Sequence, residues 1–263
     1  GTTTPPPTFA EERALYAQGY HSIAGIDEVG RGPLAGPVVA AAVVLPPYIN
    51  LPWLSSVRDS KQLTARQRER VFTHVQEAGL AWATGLVSPQ EVDSGGIVAA
   101  TRKAMLMAVD GLPQRPSFLL IDAFPLPESG MPYKAIIKGD QRCLSIAAAS
   151  IVAKVTRDRM MVEEDLRYPG YGFAAHKGYH TKAHLEQLHR LGLSPIHRRS
   201  FAPVRAIADG NLAESTHNKS LGDAGEMTAR RYLQQKGYTI LETNFRSRYG
   251  EVDVIAQEGD CLV

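Results

Sequence analysis

The sequence is poor in the features that would make it a disulfide-stabilised or membrane-spanning protein. Only two of its 263 residues are cysteines, Cys143 and Cys261, which excludes a disulfide framework and favours a reducing compartment. No apolar run approaches the roughly 20 residues that cross a bilayer, and the longest runs, at 38–45 and 146–153, are typical of core segments. Residues 1–7 also lack the basic and apolar regions of a signal peptide, so we expect a cytoplasmic protein that contacts no membrane.

Neither sign of charge predominates. The 29 Lys and Arg residues against 27 Asp and Glu residues leave a net charge of +2, which identifies no class of partner. Residues 176–205 are the exception, because they contain six basic residues but a single acid, Glu186, together with five of the eight histidines. This basic segment is either a solvated face or a surface for phosphates, since clustered Lys and Arg release counterions from nucleic acid.

Apolar runs that alternate with amphipathic segments predict an α/β protein. Runs at 22–27, 38–45, 81–88, 117–122 and 133–138 predict strands, and helical periodicity predicts helices over 9–20, 64–79, 97–112, 144–166 and 181–192. A polar stretch at 209–219 predicts a linker between a first domain, residues 1–208, and a C-terminal segment, residues 220–263. The C-terminal segment predicts a helix over 223–236 and strands over 238–242 and 251–257. It is marginal for an independent core, so we expect a short, incomplete α/β appendage.

Acidic residues follow the predicted strands at three places. Asp27 and Glu28 end the first run, Asp122 ends the fourth, and Asp140 follows the fifth. Carboxylates beside buried strands are costly unless they are paired or bind a metal, and ligands gather at the carboxyl ends of strands in α/β sheets. Oxygen ligands favour Mg²⁺ or Mn²⁺, and two such ions can activate water and stabilise a leaving oxygen in phosphodiester hydrolysis.

Each acid taken alone is equally compatible with a surface turn or a helix cap, and that interpretation stays open. Adjacent strand residues point to opposite faces of a sheet. Asp27 and Glu28 can therefore share a site only if their strand ends or twists at this point.

A glycine-rich stretch, Gly30-Arg31-Gly32-Pro33-Leu34-Ala35-Gly36, follows the first acidic pair. Its third glycine comes one position late for a dinucleotide-binding fingerprint, and the two preceding carboxylates would repel a pyrophosphate. We interpret it as a tight loop whose backbone approaches a substrate closely, with Arg31 supplying positive charge. A plain turn between two strands is the alternative.

The segment from Gly25 to Pro37 resembles the signature of prokaryotic ribonuclease HII. Further matching motifs follow in order over about residues 11–205: Asp59-Ser60-Lys61, Ile121-Asp122, Lys138-Gly139-Asp140, residues 145–150, residues 153–159 and His176-Lys177-Gly178-Tyr179. The resemblance implies a ribonuclease H-like fold, with a mixed five-stranded sheet flanked by helices. It also implies an endoribonuclease that cuts the RNA strand of RNA–DNA hybrids and single ribonucleotides embedded in duplex DNA, leaving 3′-hydroxyl and 5′-phosphate ends.

The resemblance also implies roles for individual residues. Asp27, Glu28, Asp122 and Asp140 become the catalytic, metal-binding acids, which hold Mn²⁺ or Mg²⁺, with two ions expected. Gly30, Arg31 and Gly32 become the element that senses the ribose 2′-hydroxyl and the nearby phosphate, and Tyr179 becomes a substrate-sensing aromatic residue. For Lys61 the sequence leaves two roles open, a contact to phosphate or a pair with the acids. The partners implied are RNA–DNA hybrids and ribonucleotide-containing duplexes. We expect a monomer without an obligatory protein partner.

Three further patterns have less support. His176, His180 and His184 are spaced by four and suggest zinc, but Gly178 argues against one continuous helix and no cysteine lies nearby. Asp158 lies beside Arg157 and Arg159 in a predicted helix, which favours an ion pair over a catalytic role. The sequence does not favour a serine hydrolase, because Ser145 and Ser150 have no patterned histidine partner.

Motifs between residues 225 and 256, among them Arg248-Tyr-Gly250-Glu251-Val-Asp253, resemble the start of the YraN-like family, which has a restriction-endonuclease-like fold. Glu251 and Asp253 lie two apart on a predicted strand, so both carboxylates can face one metal. The Glu-x-Lys that such folds normally supply next is not reached before Val263, and we expect this segment to be inactive or incomplete.

Two alternatives to a ribonuclease remain for the whole chain: a non-catalytic nucleic-acid-binding protein on the same fold, and a DNA endonuclease acting through the C-terminal segment.

Overall fold

The computed structural model describes residues 5–46, 48–209, 239–247, 250–258 and 261–262. Its contacts divide the chain into two units, Gly1–Gly210 and Asn211–Val263. Apart from Asp209, the predicted linker at 209–219 and the predicted helix at 223–236 lie outside the described residues.

The first unit is built on a mixed five-stranded sheet, as the resemblance implied. The strands are β1 (Ile23–Val29), β2 (Val38–Val44), β3 (Ala81–Val87), β4 (Phe118–Asp122) and β5 (Tyr133–Ile136). Their order across the sheet is β3-β2-β1-β4-β5. The pairs β1–β2 and β2–β3 are antiparallel, whereas β1–β4 and β4–β5 are parallel. The carboxyl ends of β1, β4 and β5 therefore lie at one edge of the sheet.

Eight helices accompany the sheet in the described part of the first unit. They are α1 (Ala10–Ala17), α2 (Ala65–Glu77), α3 (Pro89–Gly95), α4 (Ile97–Asp110), α5 (Leu144–Arg167), α6 (Phe173–His176), α7 (Lys182–Leu191) and α8 (Ala202–Ala208). The start of α2 is fixed by a capping box in which Thr64 and Gln67 exchange hydrogen bonds. The five predicted helices are present, while α3, α6 and α8 were not predicted.

Both faces of the sheet are buried, which explains why its strands read as continuous apolar runs. One face packs against α2 and α5, and the other packs against α3 and α4. The residues of β2 alternate between the two cores, with Val39, Ala41 and Val43 in the first and Val38, Ala40 and Ala42 in the second. At Gly25 in β1, a side chain would collide with the backbone of α5 at Ser145. Small residues thus let α5 lie directly on the sheet.

The basic segment folds back onto the loop that follows β1. Leu34 and Ala35 of this loop are buried with Met161 of α5, Phe173 of α6 and Leu188 of α7. No helix among the described residues is long and apolar enough to cross a membrane.

The second unit contains a three-stranded antiparallel sheet in the order β6-β7-β8. Its strands are β6 (Thr239–Ser247), β7 (Gly250–Glu258) and β8 (Cys261–Leu262). The strand predicted over 238–242 is longer than expected, and its register with β7 shifts between Ile240 and Glu242. Glu251 and Asp253 both lie on β7, and their joint binding of a metal stays a prediction.

Candidate active site

Three of the four predicted acids meet at one edge of the five-stranded sheet. Asp27 lies on β1, Asp122 is the last residue of β4, and Asp140 lies in the short 3₁₀ helix Gly139–Gln141 after β5. One carboxylate oxygen of each residue lies within 4.8 Å of the other two. Ile26 of β1 pairs with Ile121 of β4. The next residue on each of these parallel strands is an aspartate, so the two aspartates lie side by side at the ends of the paired segment. We refer to these three residues as the acidic triad.

Glu28, the fourth predicted acid, is not in the acidic triad. Strand β1 continues through Val29 instead of ending at the acids, so Asp27 and Glu28 keep the alternating directions of a strand. The Glu28 Oε1 atom lies 3.5 Å from Arg31 Nη1, and the Glu28 N–H donates to Asp27 Oδ1 over 2.8 Å. Burial raises the pKa of Glu28, Arg31 lowers it and Asp122 raises it, so the Glu28 carboxylate remains within electrostatic reach of the triad.

The acidic triad holds its negative charge at a cost. Burial, followed by repulsion from Glu28 and Asp122, raises the pKa of Asp27 well above its usual value. Burial and the charge of Asp122 raise the pKa of Asp140 to about 6, and burial raises the pKa of Asp122 as well. A cation would relieve this repulsion. A set of carboxylate oxygens fits Mg²⁺ or Mn²⁺ better than Zn²⁺.

A tight turn after β5 holds Asp140 beside Asp122. Lys138 has a positive φ of 55°, and the following Gly139 donates its N–H to Asp122 Oδ1 over 2.6 Å. A side chain at Gly139 would meet Ile146 Cδ1 of α5 at 2.6 Å. This hydrogen bond and the glycine requirement place Asp140 beside Asp122.

Asp59 adds a further carboxylate that the strand-end pattern missed. It is buried, its Oδ1 accepts from the Lys61 N–H over 2.9 Å, and its Oδ2 accepts from Gln141 Nε2 over 3.2 Å. Its charge contributes to the raised pKa of Asp140. Asp59 follows no strand, so its only signal in the sequence is its place in the Asp59-Ser60-Lys61 motif.

Lys61 lies beside the acids. Burial lowers the pKa of Lys61, but the surrounding carboxylates outweigh burial and the net pKa is raised; these carboxylates belong to Asp59, Asp140, Asp27 and Asp122. Lys61 therefore places a positive charge within electrostatic reach of the acidic triad and Asp59.

The glycine loop, residues 30–36, begins directly after β1. Gly30 and Gly36 have positive φ angles of 91° and 88°, whereas a Cβ at Gly32 would meet no described atom within 4 Å apart from those of its chain neighbours. In the described part of the chain, the N–H groups of Arg31 and Gly32 donate to no protein acceptor. The Arg31 guanidinium lies 5.1 Å from the centre of the Phe124 ring. Two backbone donors and a cation are thus available on the outer side of this loop.

Tyr179 lies in a second loop, the tyrosine loop (residues 177–180), that contacts the glycine loop. The Leu34 N–H donates to the Gly178 carbonyl over 2.8 Å, and a side chain at Gly178 would collide with the Ala35 carbonyl. The Tyr179 side chain is exposed, and Lys154 Nζ lies 5.7 Å from the centre of its ring. The structure therefore brings together the two substrate-sensing elements that the resemblance implied.

The histidine pattern does not form a zinc site. His184 and His197 are buried and face each other with their Nε2 atoms 3.0 Å apart, and His176 stacks on His184. Every ring nitrogen of these three residues has a partner within the protein. Burial lowers the pKa values of His184 and His197 to about 4, so both rings are neutral at pH 7.

The predicted ion pair of Asp158 is confirmed, but its partners differ from the two neighbours expected. Asp158 Oδ1 lies 2.7 Å from Lys154 Nζ, and its Oδ2 lies 3.6 Å from Arg68 Nη2. Lys154 is one turn away on α5, where i and i+4 side chains meet. Arg157 instead points into the protein, and Arg159 contacts Glu69.

Two family models match this sequence. A family model described as Ribonuclease HII matches residues 24–204, and one described as Uncharacterised protein family UPF0102 matches residues 225–263. The second match agrees with the resemblance of the C-terminal segment.

Similar proteins cover most of the chain. A Ribonuclease HII of Dehalococcoides mccartyi is 50% identical over 203 residues, which are 77% of this chain and 96% of the relative. A Ribonuclease HII of Desulfitobacterium hafniense is 55% identical over 199 residues, which are 76% of this chain and 75% of the relative. The crystal structure of ribonuclease H2 from Pyrococcus horikoshii superposes with a TM-score of 0.62 at 30% identity, over 73% of this chain and 100% of that chain.

Proposed function

The chain belongs to the ribonuclease HII family, and we propose that it hydrolyses the RNA strand of RNA–DNA hybrids with the acidic triad as its catalytic centre. That it is a ribonuclease H rests on relatives of this activity at 50–55% identity over most of the chain. The observation that carries the proposed centre is the meeting of Asp27, Asp122 and Asp140 within 4.8 Å at one edge of the sheet.

In this proposal Asp27, Asp122 and Asp140 hold the divalent cations, with Glu28 as a fourth acidic residue beside them. Bound Mg²⁺ or Mn²⁺ would supply the charge that activates water and stabilises the leaving oxygen, which gives 3′-hydroxyl and 5′-phosphate ends. The protein's own contribution is to hold carboxylate oxygens close together before any cation binds. The raised pKa of Asp140, about 6, still leaves this carboxylate ionised at pH 7.5.

Recognition of the ribonucleotide falls to the glycine and tyrosine loops. The 2′-hydroxyl is what distinguishes RNA from DNA at a single nucleotide. The N–H groups of Arg31 and Gly32, which have no acceptor among the described residues, can donate to a hydroxyl or phosphate oxygen, and Tyr179 offers an aromatic face for the sugar. Recognition of a 2′-hydroxyl by these loops needs only one ribonucleotide. We therefore propose that single ribonucleotides embedded in duplex DNA are also cut. We further propose that the chain acts as a monomer.

A duplex with one embedded ribonucleotide tests the proposal. We expect the wild-type chain with Mg²⁺ or Mn²⁺ to cut 5′ of the ribonucleotide, and Asp122→Asn to lose this activity. Asp110→Asn is the matched control, because Asp110 is an exposed residue at the end of α4. Equal cutting by wild type and Asp122→Asn would contradict the proposal and point to the C-terminal segment. Binding of the duplex by wild type without cutting would favour the non-catalytic alternative.

A further inference from the structure

Two arginines are buried beneath the glycine loop, and neither has a carboxylate partner among the residues that the structure describes. Arg157 of α5 and Arg198, just before α8, both have 0% exposure and are among the largest fully buried side chains. In the described residues, neither forms a salt bridge within 4.0 Å. A buried cation is costly unless its N–H donors have acceptors. The acceptors of these two guanidiniums therefore show which parts of the chain the arginines hold in place.

Arg198 joins the two ends of the glycine loop. Its Nη2 donates to the Gly30 carbonyl over 2.6 Å and to the Gly36 carbonyl over 2.8 Å. Its Nε also donates to Gly36, over 3.0 Å, and its Nη1 donates to the Arg31 carbonyl over 3.0 Å. One side chain thus holds the loop closed from a position 168 residues away from Gly30.

Arg157 joins the glycine loop to the tyrosine loop. Its Nε and Nη2 donate to the carbonyls of Pro37 and Ala35 over 2.9 and 3.0 Å. Its Nη1 donates to the Lys177 carbonyl over 2.9 Å, two residues before Tyr179. The Arg157 guanidinium also lies 5.7 Å from the centre of the Tyr179 ring.

The glycines of the loop differ in what they face. A side chain at Gly30 would meet Arg157 and the Pro37 carbonyl, and one at Gly36 would meet Met161 and Arg157. A side chain at Gly32 would enter open space. Gly30 and Gly36 therefore make room for the arginines, while Gly32 faces the side from which a substrate would approach.

We propose that Arg157 and Arg198 are positioning residues that set the distance between the Arg31–Gly32 backbone and Tyr179, and thereby the selection of a ribonucleotide within duplex DNA. The inference rests on the proposed function of these loops. The two guanidiniums turn the loop carbonyls inward, so the N–H groups of Arg31 and Gly32 stay on the outside. A planar guanidinium with five donors can hold several carbonyls at fixed distances, which the single ammonium of lysine cannot do.

Arg157→Lys and Arg198→Lys test the inference, with Arg159→Lys as the matched control. Arg159 lies on the same helix as Arg157, but its guanidinium is half-exposed and contacts Glu69. The readout is the ratio of kcat/KM for a duplex with one ribonucleotide to kcat/KM for a continuous RNA–DNA hybrid. A continuous hybrid offers many registers, so misplaced loops penalise it less. We expect the two buried variants to lower this ratio about 10- to 100-fold, as misplacement of about 1 Å does, and the control to leave it unchanged.

Titration with Mn²⁺, followed by thermal stabilisation, separates this inference from the proposed function. Variants that bind Mn²⁺ like wild type and keep the ratio within twofold would overturn the inference, while the acidic triad would stand. Retained activity in Asp122→Asn would overturn the proposed function instead. If the lysine variants do not fold, Gly178→Ala decides, because its methyl group would press on the Ala35 carbonyl and part the two loops without removing a buried charge. A wild-type ratio in folded Gly178→Ala would then contradict the inference.

Discussion

Neutralising Asp140 in the metal-free protein tests the electrostatic basis of the acidic triad. Asp140 is buried, and its burial together with the charges of Asp122 and Asp59 raises its pKa from 3.8 to about 6. Each pKa unit corresponds to about 1.4 kcal/mol, so the ionised form is about 3 kcal/mol less favourable in the fold than in the unfolded chain. Asp140→Asn removes this charge and keeps the size of the side chain.

The expected result is a more stable protein whose melting temperature rises much less on metal binding than that of wild type. A group whose pKa is raised in the folded state contributes stability below its unfolded pKa, and loses that contribution as the pH rises through the folded value. At pH 7.5 without metal, Asp140→Asn should therefore exceed wild type by up to about 3 kcal/mol, or roughly 5–10 °C in Tm. At pH 4 most of this difference should vanish, because the Asp140 carboxyl is then protonated in the fold.

The assay is thermal unfolding of the full chain after treatment with a chelator, followed by circular dichroism with and without added Mn²⁺. Wild type should gain Tm on addition of Mn²⁺, because a ligand that binds only the folded state stabilises it. Asp140→Asn should gain much less, and Asp110→Asn should behave like wild type. An Asp140→Asn protein that is no more stable than wild type at pH 7.5 in chelator would show that the Asp140 charge does not destabilise the fold.

Three further predictions concern the histidine cluster and the glycine loop. Burial lowers the pKa of His197 from 6.5 to about 4, so its contribution to stability is lost as the pH falls from about 6.5 to about 4. His197→Asn should flatten the slope of unfolding free energy against pH in this window by up to about 1.4 kcal/mol per unit, and an unchanged slope in chemical denaturation would count against burial of a neutral ring. Gly30→Ala should lower Tm, because its φ is 91° and its methyl group would meet the Pro37 carbonyl at 2.7 Å. Gly32→Ala should keep Tm and raise KM for the embedded ribonucleotide, and a wild-type KM would show that the substrate does not approach this residue.

The positions of Asp27 and Asp122 are predictable from sequence because their signals are local. Each follows a short apolar run, and the parallel pairing of β1 with β4 turns two sequence patterns into one place in space. Asp59 has no such signal, since it precedes a 3₁₀ helix and reaches the acids only through the tertiary fold. Helix α3, which was not predicted, does have a local signal in the sequence. Ser88 and Glu91, three residues apart, form the capping box at its start.

The basic segment shows where reasoning from composition stops. Clustered positive charge predicts an exposed face, and the Lys182 side chain is indeed 92% exposed. Arg198 lies in the same segment and is fully buried, because the carbonyls that satisfy it belong to Gly30, Arg31 and Gly36. Nothing near Arg198 in the sequence signals those acceptors, which only the fold brings to it.

Adjacent residues of β1 serve two different parts of the site. Because the strand does not end at the acids, the Asp27 carboxylate lies with those of Asp122 and Asp140, while the Glu28 carboxylate contacts Arg31 of the glycine loop. The Glu28–Arg31 contact is 3.5 Å long, and the Arg31 side chain is 43% exposed, so this pair is weak enough to exchange for a phosphate. A phosphate that attracts Arg31 would leave the Glu28 carboxylate without its cation, next to a triad that already repels it. Substrate binding at the glycine loop should therefore increase the affinity of the neighbouring acids for a divalent cation, and by linkage the cation should tighten substrate binding.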